Sequence, residues 1–119
     1  MKLLEFKFGK ERINGRDTFF STPDLLKVAI NNVPREGGLD VKEMSTRLRL
    51  LKIVDAYPEF AVDEKDFNES HLSIKQTVEI EDADFVKIKE LFGQVKWSII
   101  SNFIIELDEE LSNSKSKEA

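Results

Sequence analysis

The chain has 119 residues, of which 40% are hydrophobic and 34% charged, and its formal net charge is −5. This length suffices for one domain with a buried core, and the negative charge argues against sequence-independent binding to nucleic acid, which depends on basic residues that neutralise phosphates. With no cysteine and only one histidine, His71, the chain lacks a disulfide framework, thiolate nucleophiles and most near-neutral proton shuttles. The composition therefore favours a small acidic binding protein over a catalyst.

The first segment predicts a β-hairpin. Residues 2–8 alternate between apolar and charged side chains, which is the period of a half-buried strand. Asn14-Gly15 then offers two residues that tolerate positive φ, so we expect a tight turn with Arg16–Phe20 returning beside the first strand.

Two capped helices are predicted next. Ser21 and Pro23 form a typical helix start, and we expect this first helix to run to about Asn32. Asp40 followed by Glu43 resembles a capping box, so a second helix should begin near Val41. Its apolar face comprises Val41, Met44, Leu48 and Leu51, widened by Leu50, Ile53 and Val54, and its opposite face carries Lys42, Arg49 and Lys52.

The second half predicts one strand and two further helices. Residues 71–81 alternate as a strand does, and the acidic residues 81–84 suit the start of a third helix that Gly93 ends. A fourth helix is expected to follow with an apolar stripe of Trp97, Ile100, Ile104, Leu107 and Leu111, widened by Ile99 and Phe103. Residues 112–119 have nothing to bury, and we expect a mobile tail there.

Two charged surfaces are candidate contact sites for a partner. The second helix is the most basic element, with Arg47, Arg49 and Lys52 as the predicted contacts for an acidic partner. The fourth helix carries Glu106, Asp108, Glu109 and Glu110 at the end where the helix dipole is negative. Either this end frays or a basic surface compensates it, on a partner, a sister subunit or the second helix of the same chain. We therefore take Glu106, Glu109 and Glu110 as further predicted contacts.

The sequence patterns that would indicate a metal site or a catalytic site are weaker. Residues 63–70 alternate acidic side chains like a calcium loop but lack its glycine and its final bidentate carboxylate, so a solvated loop is favoured. Asp82 and Asp84 are candidate ligands of a divalent-metal enzyme, although a helix start also explains them. His71 has no G-x-S-x-G elbow beside it, which favours a surface or strand-edge histidine. We predict no cofactor, no metal and no catalytic residue.

The order of elements has a counterpart in known proteins. A strand, a capped short helix, a glycine-containing loop and a basic helix precede a short acidic strand and the run IEDADFVKIK at residues 80–89, which continues through Gly93 to a final helix. This layout resembles a loose group of small tailed-phage proteins over about residues 20–107. The resemblance implies a virus-encoded protein that acts in a bacterial cytoplasm on a host or defence factor, and it carries over no functional residue.

Taken together, these patterns predict a single α+β domain over residues 1–111. Its small antiparallel sheet combines the N-terminal hairpin with the strand near 71–81, and about four helices cover one face. Because there is no secretory signal, no membrane span and no cysteine, we expect a cytoplasmic protein without a membrane partner. The predicted function is a non-enzymatic interaction module that binds a host factor or itself. The alternative is a ligand- or nucleotide-binding homo-oligomer in which Arg35, Arg47 or Arg49 meets a phosphate.

Overall fold

A computed structural model of the chain describes residues 1–113 and 115–116. The strands β1 (Lys2–Ile13), β2 (Arg16–Ser21) and β3 (Lys75–Ile80) form an antiparallel sheet in the order β2-β1-β3. The helices are α1 (Thr22–Ile30), α2 (Val41–Val54), α3 (Asp82–Gln94) and α4 (Asn102–Ser112). The predicted small α+β fold is confirmed.

The central strand β1 pairs with a different neighbour along each half. Its first half runs opposite β3, from Lys2 against Ile80 onwards, and its second half runs opposite β2 as far as Ile13. The hairpin turn has φ of 52° at Asn14 and 78° at Gly15, the positive values that a two-residue turn of this hand requires. The predicted hairpin is confirmed, but β1 extends to Ile13 rather than ending at Phe8.

Side chains from two helices complete the edge of β1 that β2 leaves open. The Lys7 N–H donates to the Thr22 hydroxyl at 3.2 Å, and that hydroxyl donates back to the Lys7 carbonyl at 3.3 Å. The Glu5 N–H donates to a carboxylate oxygen of Glu110 at 2.9 Å. Beyond them, the short strand β4 (Lys115–Ser116) pairs with the start of β1. Polar side chains thus satisfy backbone groups that would otherwise form an exposed strand edge.

The two predicted helix starts are confirmed at Ser21 and Asp40. The Ser21 hydroxyl accepts a hydrogen bond from the Asp24 N–H at 3.2 Å, and an Asp40 carboxylate oxygen accepts one from the Glu43 N–H at 2.7 Å. The capping box at α2 is only half formed, because the Glu43 carboxylate bonds to basic side chains instead. Helix α1 ends at Ile30, earlier than predicted.

The start of α4 was predicted wrongly, and a local and a distant side chain both cap the helix where it begins. A fourth helix from Trp97 was expected, but residues 95–101 are irregular and α4 begins at Asn102. There the Glu11 carboxylate accepts hydrogen bonds from the Asn102 N–H at 3.1 Å and from the Phe103 N–H, while the Ser101 hydroxyl caps the helix from its own segment. A carboxylate at the positive end of the helix dipole stabilises this start.

Two other boundaries also differ from the prediction. Strand β3 begins at Lys75 rather than at His71, because Glu69–Ser73 form a 3-10 helix capped by Asn68. Helix α3 passes through Gly93 and ends at Gln94. Of the tail predicted over 112–119, Ser112 closes α4, while residues 114 and 117–119 lie outside the described residues.

One continuous apolar core joins the sheet to the helices. From the sheet it takes Leu4, Phe6, Phe8, Val78 and Ile80, and from the helices Leu26, Ile30, Leu50, Val54, Ile88, Leu91, Leu107 and Leu111. Phe60 and Tyr57, just after α2, meet the Phe6 ring edge-on with centroids 6.0 Å and 5.4 Å away. Within the described residues, no helix combines the length and apolar character needed to cross a membrane.

Candidate functional site

A buried arginine lies on the inward face of α2, together with the core residues Leu50 and Val54. Arg47 is 6% exposed, and its guanidinium donates to the carbonyl of Ile30 at 3.1 Å and to that of Asn32 at 2.6 Å. These two carbonyls lie at the end of α1 and just after it. The last carbonyls of a helix have no hydrogen-bond partner within the helix. The planar guanidinium, which carries five N–H donors, is suited to meeting both of them at once. Arg47 therefore fastens α2 to the end of α1.

Two ion pairs hold the same helix against α3. The Glu43 carboxylate receives the Lys87 ammonium at 2.8 Å and the Nε of Arg47 at 3.2 Å. Hydrogen bonding from Lys87, followed by that from Arg47, lowers the pKa of Glu43 below its ordinary 4.5. Arg49 binds Asp84 near the start of α3, with its Nη2 2.6 Å from a carboxylate oxygen. The orientation of α2 is thus set by polar contacts on two sides.

As a consequence, the apolar stripe of α2 faces solvent. The amphipathic pattern is typical of a helix whose apolar face meets the core. Here the buried residues are Arg47, Leu50 and Val54. Val41, Met44 and Leu48 are instead 79%, 47% and 60% exposed. The helix and its start were predicted correctly from the sequence. Of the predicted apolar face, Leu50 and Val54 are buried, whereas Val41, Met44 and Leu48 are exposed.

The exposed stripe borders a groove, which we call the α2 groove. It is a cleft of about 230 Å³ between the end of α1, the following loop and α2. Its apolar walls are formed by Val33, Leu39, Met44, Leu48 and Leu51, and Arg47 contributes to its lining. A contiguous apolar cleft on a small domain is typical of a binding surface, whereas isolated exposed apolar residues are ordinary. This candidate surface was not predicted from the sequence.

Of the three predicted basic contacts on α2, only Arg47 lines this groove. Arg47 is hydrogen-bonded to backbone carbonyls of the same chain, and Arg49 is paired with Asp84 although much of its side chain is exposed. Lys52 is exposed, one helical turn after Leu48, and its ammonium has no ion-pair partner among residues 1–113. The structure therefore leaves Lys52, together with Lys42, as the free positive charge of α2.

A second apolar hollow, of about 370 Å³, lies beside α4. We call it the α4 patch and define it by Val95, Trp97, Ile105, Asp108 and Glu109, which are among its lining residues. Ile105 is 51% exposed, and the indole of Trp97, the only tryptophan of the chain, packs against Phe92 with ring centroids 5.4 Å apart. Apolar and acidic side chains thus share one surface here.

The predicted acidic contacts of α4 also differ in whether they have partners within the fold. Glu110 is used within the fold, where it accepts from the Glu5 N–H, and Glu106 accepts from the Asn102 side-chain amide at 3.0 Å. Within residues 1–113, the carboxylates of Asp108 and Glu109 have neither an ion-pair nor a hydrogen-bond partner. The helix stays intact to Ser112, and none of the ion pairs of the described residues joins α2 to α4. The structure does not bring the two predicted charged surfaces together.

The remaining titratable candidates have structural contacts. Asp82 lies 3.0 Å from the terminal amine of Met1, and Asp84 holds Arg49. Nδ1 of His71 accepts from the Asn68 N–H at 3.0 Å, and its ring packs on Phe8. In the part of the chain that the structure describes, no three His, Cys, Asp or Glu side chains form a group suited to a metal ion.

Comparison with known proteins assigns no family. No family model, no curated protein and no solved structure matches the chain. The resemblance to small tailed-phage proteins over residues 20–107 therefore stays a prediction.

Proposed function

We propose that this protein is a non-enzymatic interaction module and that the α2 groove is its contact surface for another protein. One observation carries the proposal: Val41, Met44 and Leu48 form an exposed apolar stripe along a helix that already buries Leu50 and Val54 in the core. Exposing such a stripe incurs a free-energy cost that a partner would remove on binding. A helix-in-groove contact is a common solution for a cleft of this kind.

The internal contacts of Arg47 and Arg49, two of the three arginines in the nucleotide-binding alternative, support this proposal over that alternative. Arg47 meets two backbone carbonyls and Glu43, and Arg49 meets Asp84. A phosphate at either guanidinium would have to displace those partners. The apolar groove needs no such rearrangement, because its side chains already face solvent. A phage accessory role, in which the partner is a host or defence factor, is part of the proposal and makes a bacterial lysate the first source to examine.

Capture from a bacterial lysate tests the proposal. The tagged protein should retain a protein partner in stoichiometric amount, and Leu48→Glu should abolish the retention because it places a charge in the apolar groove. Val86→Glu on α3 is the matched control, since Val86 is 61% exposed and Leu48 60%. It should bind as the wild type does.

Two results would contradict the proposal. One is a retained partner that Leu48→Glu and Val86→Glu hold equally well, which would place the contact outside the groove. The other is an absence of any retained protein at low salt, where surface electrostatics are least screened, combined with a monomeric wild type at high concentration. Both variants should show the wild-type far-UV circular dichroism spectrum, because both positions are more than half exposed.

A further inference from the structure

Strand β3 forms one edge of the sheet. In the order β2-β1-β3, β1 is the only strand of the described residues that pairs with it. Residues 75–77 are exposed, while Val78 and Ile80 are buried. An edge strand presents a row of backbone N–H and C=O groups with which a further strand can pair. The open side of β3 is therefore a surface on which the sheet can be extended.

The hydrogen bonds of β1 show which residues of β3 face this open side. The N–H groups of Glu5 and Lys7 donate to side chains of α4 and α1, so they point away from β3. Along an antiparallel pair, alternate residues direct their backbone groups to alternate sides. Leu4 therefore points toward β3, where the register places it opposite Val78. The residues of β3 whose N–H and C=O groups point outward are then Lys75, Thr77 and Glu79.

A second copy of β3 matches this edge residue by residue. In an antiparallel pair with Thr77 opposite Thr77, Lys75 lies opposite Glu79 at both ends. Each opposed pair exchanges backbone hydrogen bonds, because all three residues face outward. The Thr77 carbonyl accepts only a long contact of 3.4 Å from the Gln76 side-chain amide, which this pairing replaces. We infer that β3 of one copy pairs with β3 of a second copy across a twofold axis at Thr77.

The side chains on the exposed face support this register. Lys75 lies opposite Lys7 of β1, and like charges directly opposite each other are destabilising. Among the residues that the structure describes, no carboxylate forms an ion pair with Lys75. Glu79 of the second copy supplies one. Glu79 also has a contact within its own chain, but a carboxylate accepts several hydrogen bonds. Unlike charges and threonine pairs are both stabilising across neighbouring strands.

Shifted registers lose these matches. A shift by one residue would set the core face of one sheet beside the outer face of the other. Centring the pair on Val78 would place Thr77 opposite Glu79 and leave Lys75 opposite a residue beyond the end of the strand. The register centred on Thr77 instead gives a continuous sheet in the order β2-β1-β3-β3-β1-β2, with the helices of both copies on one face. Because a twofold contact uses the same edge of both copies, assembly stops at a dimer.

Reversing the two charges tests the register. In sedimentation velocity, the full chain should change from monomer to dimer between about 1 μM and about 1 mM. Lys75→Glu and Glu79→Lys should each weaken dimerisation at least about tenfold, because each sets like charges opposite each other at both ends. An equal mixture of the two should form a heterodimer, since both facing pairs are then unlike. Lys52→Glu on α2 is the matched control: it changes the net charge by the same amount and should dimerise as the wild type does.

Backbone variants test the edge itself. Thr77→Pro removes an N–H that points outward, so it should give a folded monomer with the wild-type far-UV circular dichroism spectrum. Gln76→Pro is the contrasting variant, because it removes an N–H that points toward β1 and should destabilise the fold. Hydrogen exchange of the wild type needs no variant. The Thr77 amide should exchange more slowly as concentration rises, whereas the Val78 amide should be protected at every concentration.

Three outcomes overturn the inference. They are a wild type that stays monomeric at about 1 mM, a dimer that Thr77→Pro leaves unchanged, and charge variants that fail to pair on mixing. The β3 edge does not include the α2 groove, so Leu48→Glu should dimerise as the wild type does. A monomeric protein that captures another protein through Leu48 discards this inference and keeps the proposed function. A β3 dimer whose Leu48→Glu variant retains the same proteins as the wild type does the reverse.

Discussion

Replacing Arg47 with methionine should destabilise the protein by about 3 kcal/mol. The substitution keeps most of the apolar stem and removes the guanidinium that meets Ile30 and Asn32. It also removes one of the two basic partners of Glu43, which retains Lys87. The variant therefore isolates the polar contacts that orient α2.

The size of this destabilisation follows from what replaces each hydrogen bond of Arg47. The contact with the Ile30 carbonyl is buried, so its loss leaves an acceptor without a partner at a cost of about 1–3 kcal/mol. Asn32 is exposed, and water can replace the donor at its carbonyl for less than that. Loss of the charged contact with Glu43 adds to the destabilisation, and relief of the desolvation of a buried cation offsets part of it. The sum lies near 3 kcal/mol, which corresponds to a fall in Tm of roughly 10 °C for a domain of this size.

Urea unfolding followed by far-UV circular dichroism measures this change. The midpoint should fall while the slope with urea stays the same, because the surface exposed on unfolding is similar. The stability of Arg47→Lys should lie between those of the wild type and Arg47→Met, since one ammonium keeps the charge but cannot reproduce the planar contact with both carbonyls. An Arg47→Met protein within about 0.5 kcal/mol of the wild type would refute the view that Arg47 fastens α2.

Gly9→Ala should cost about 1–3 kcal/mol, because a Cβ at this position would overlap the Phe103 ring. In the control Gly15→Ala the Cβ meets nothing within 4 Å, and only the strain of φ = 78° remains. In thermal melts, Phe103→Leu should therefore partly restore the stability of Gly9→Ala but not that of Gly15→Ala. Equal rescue of both variants would contradict the overlap. Hydrogen bonding from Lys87 lowers the pKa of Glu43, so this carboxylate's contribution to stability is complete above its ordinary pKa of 4.5 and is lost as the pH falls through the lowered folded value. The difference in unfolding free energy between the wild type and Glu43→Gln should therefore shrink in acid, and a difference that stays constant from about pH 6 to about pH 2 would show that the ion pair contributes nothing.

The elements whose signals are local were predicted well from the sequence. The hairpin turn at Asn14-Gly15 and the helix starts at Ser21 and Asp40 lie where they were expected, because turn and cap preferences act within a few residues. Boundaries that depend on distant partners were predicted poorly. Helix α4 starts at Asn102, where Ser101 caps it locally and the carboxylate of Glu11, on a strand far away in sequence, accepts from the first N–H groups.

For the candidate site, the sequence by itself determined which residue types lie on α2 and α4, including the acidic residues at the end of α4. It did not determine which part of the broad apolar face of α2 is buried. The periodic apolar pattern includes Met44 and Leu48 as well as Leu50 and Val54, since it records transfer preferences of side chains and no backbone acceptors. Only the tertiary structure places the Ile30 and Asn32 carbonyls where Arg47 can meet them, and with Arg47, Leu50 and Val54 turned inward, Met44 and Leu48 remain exposed at the groove.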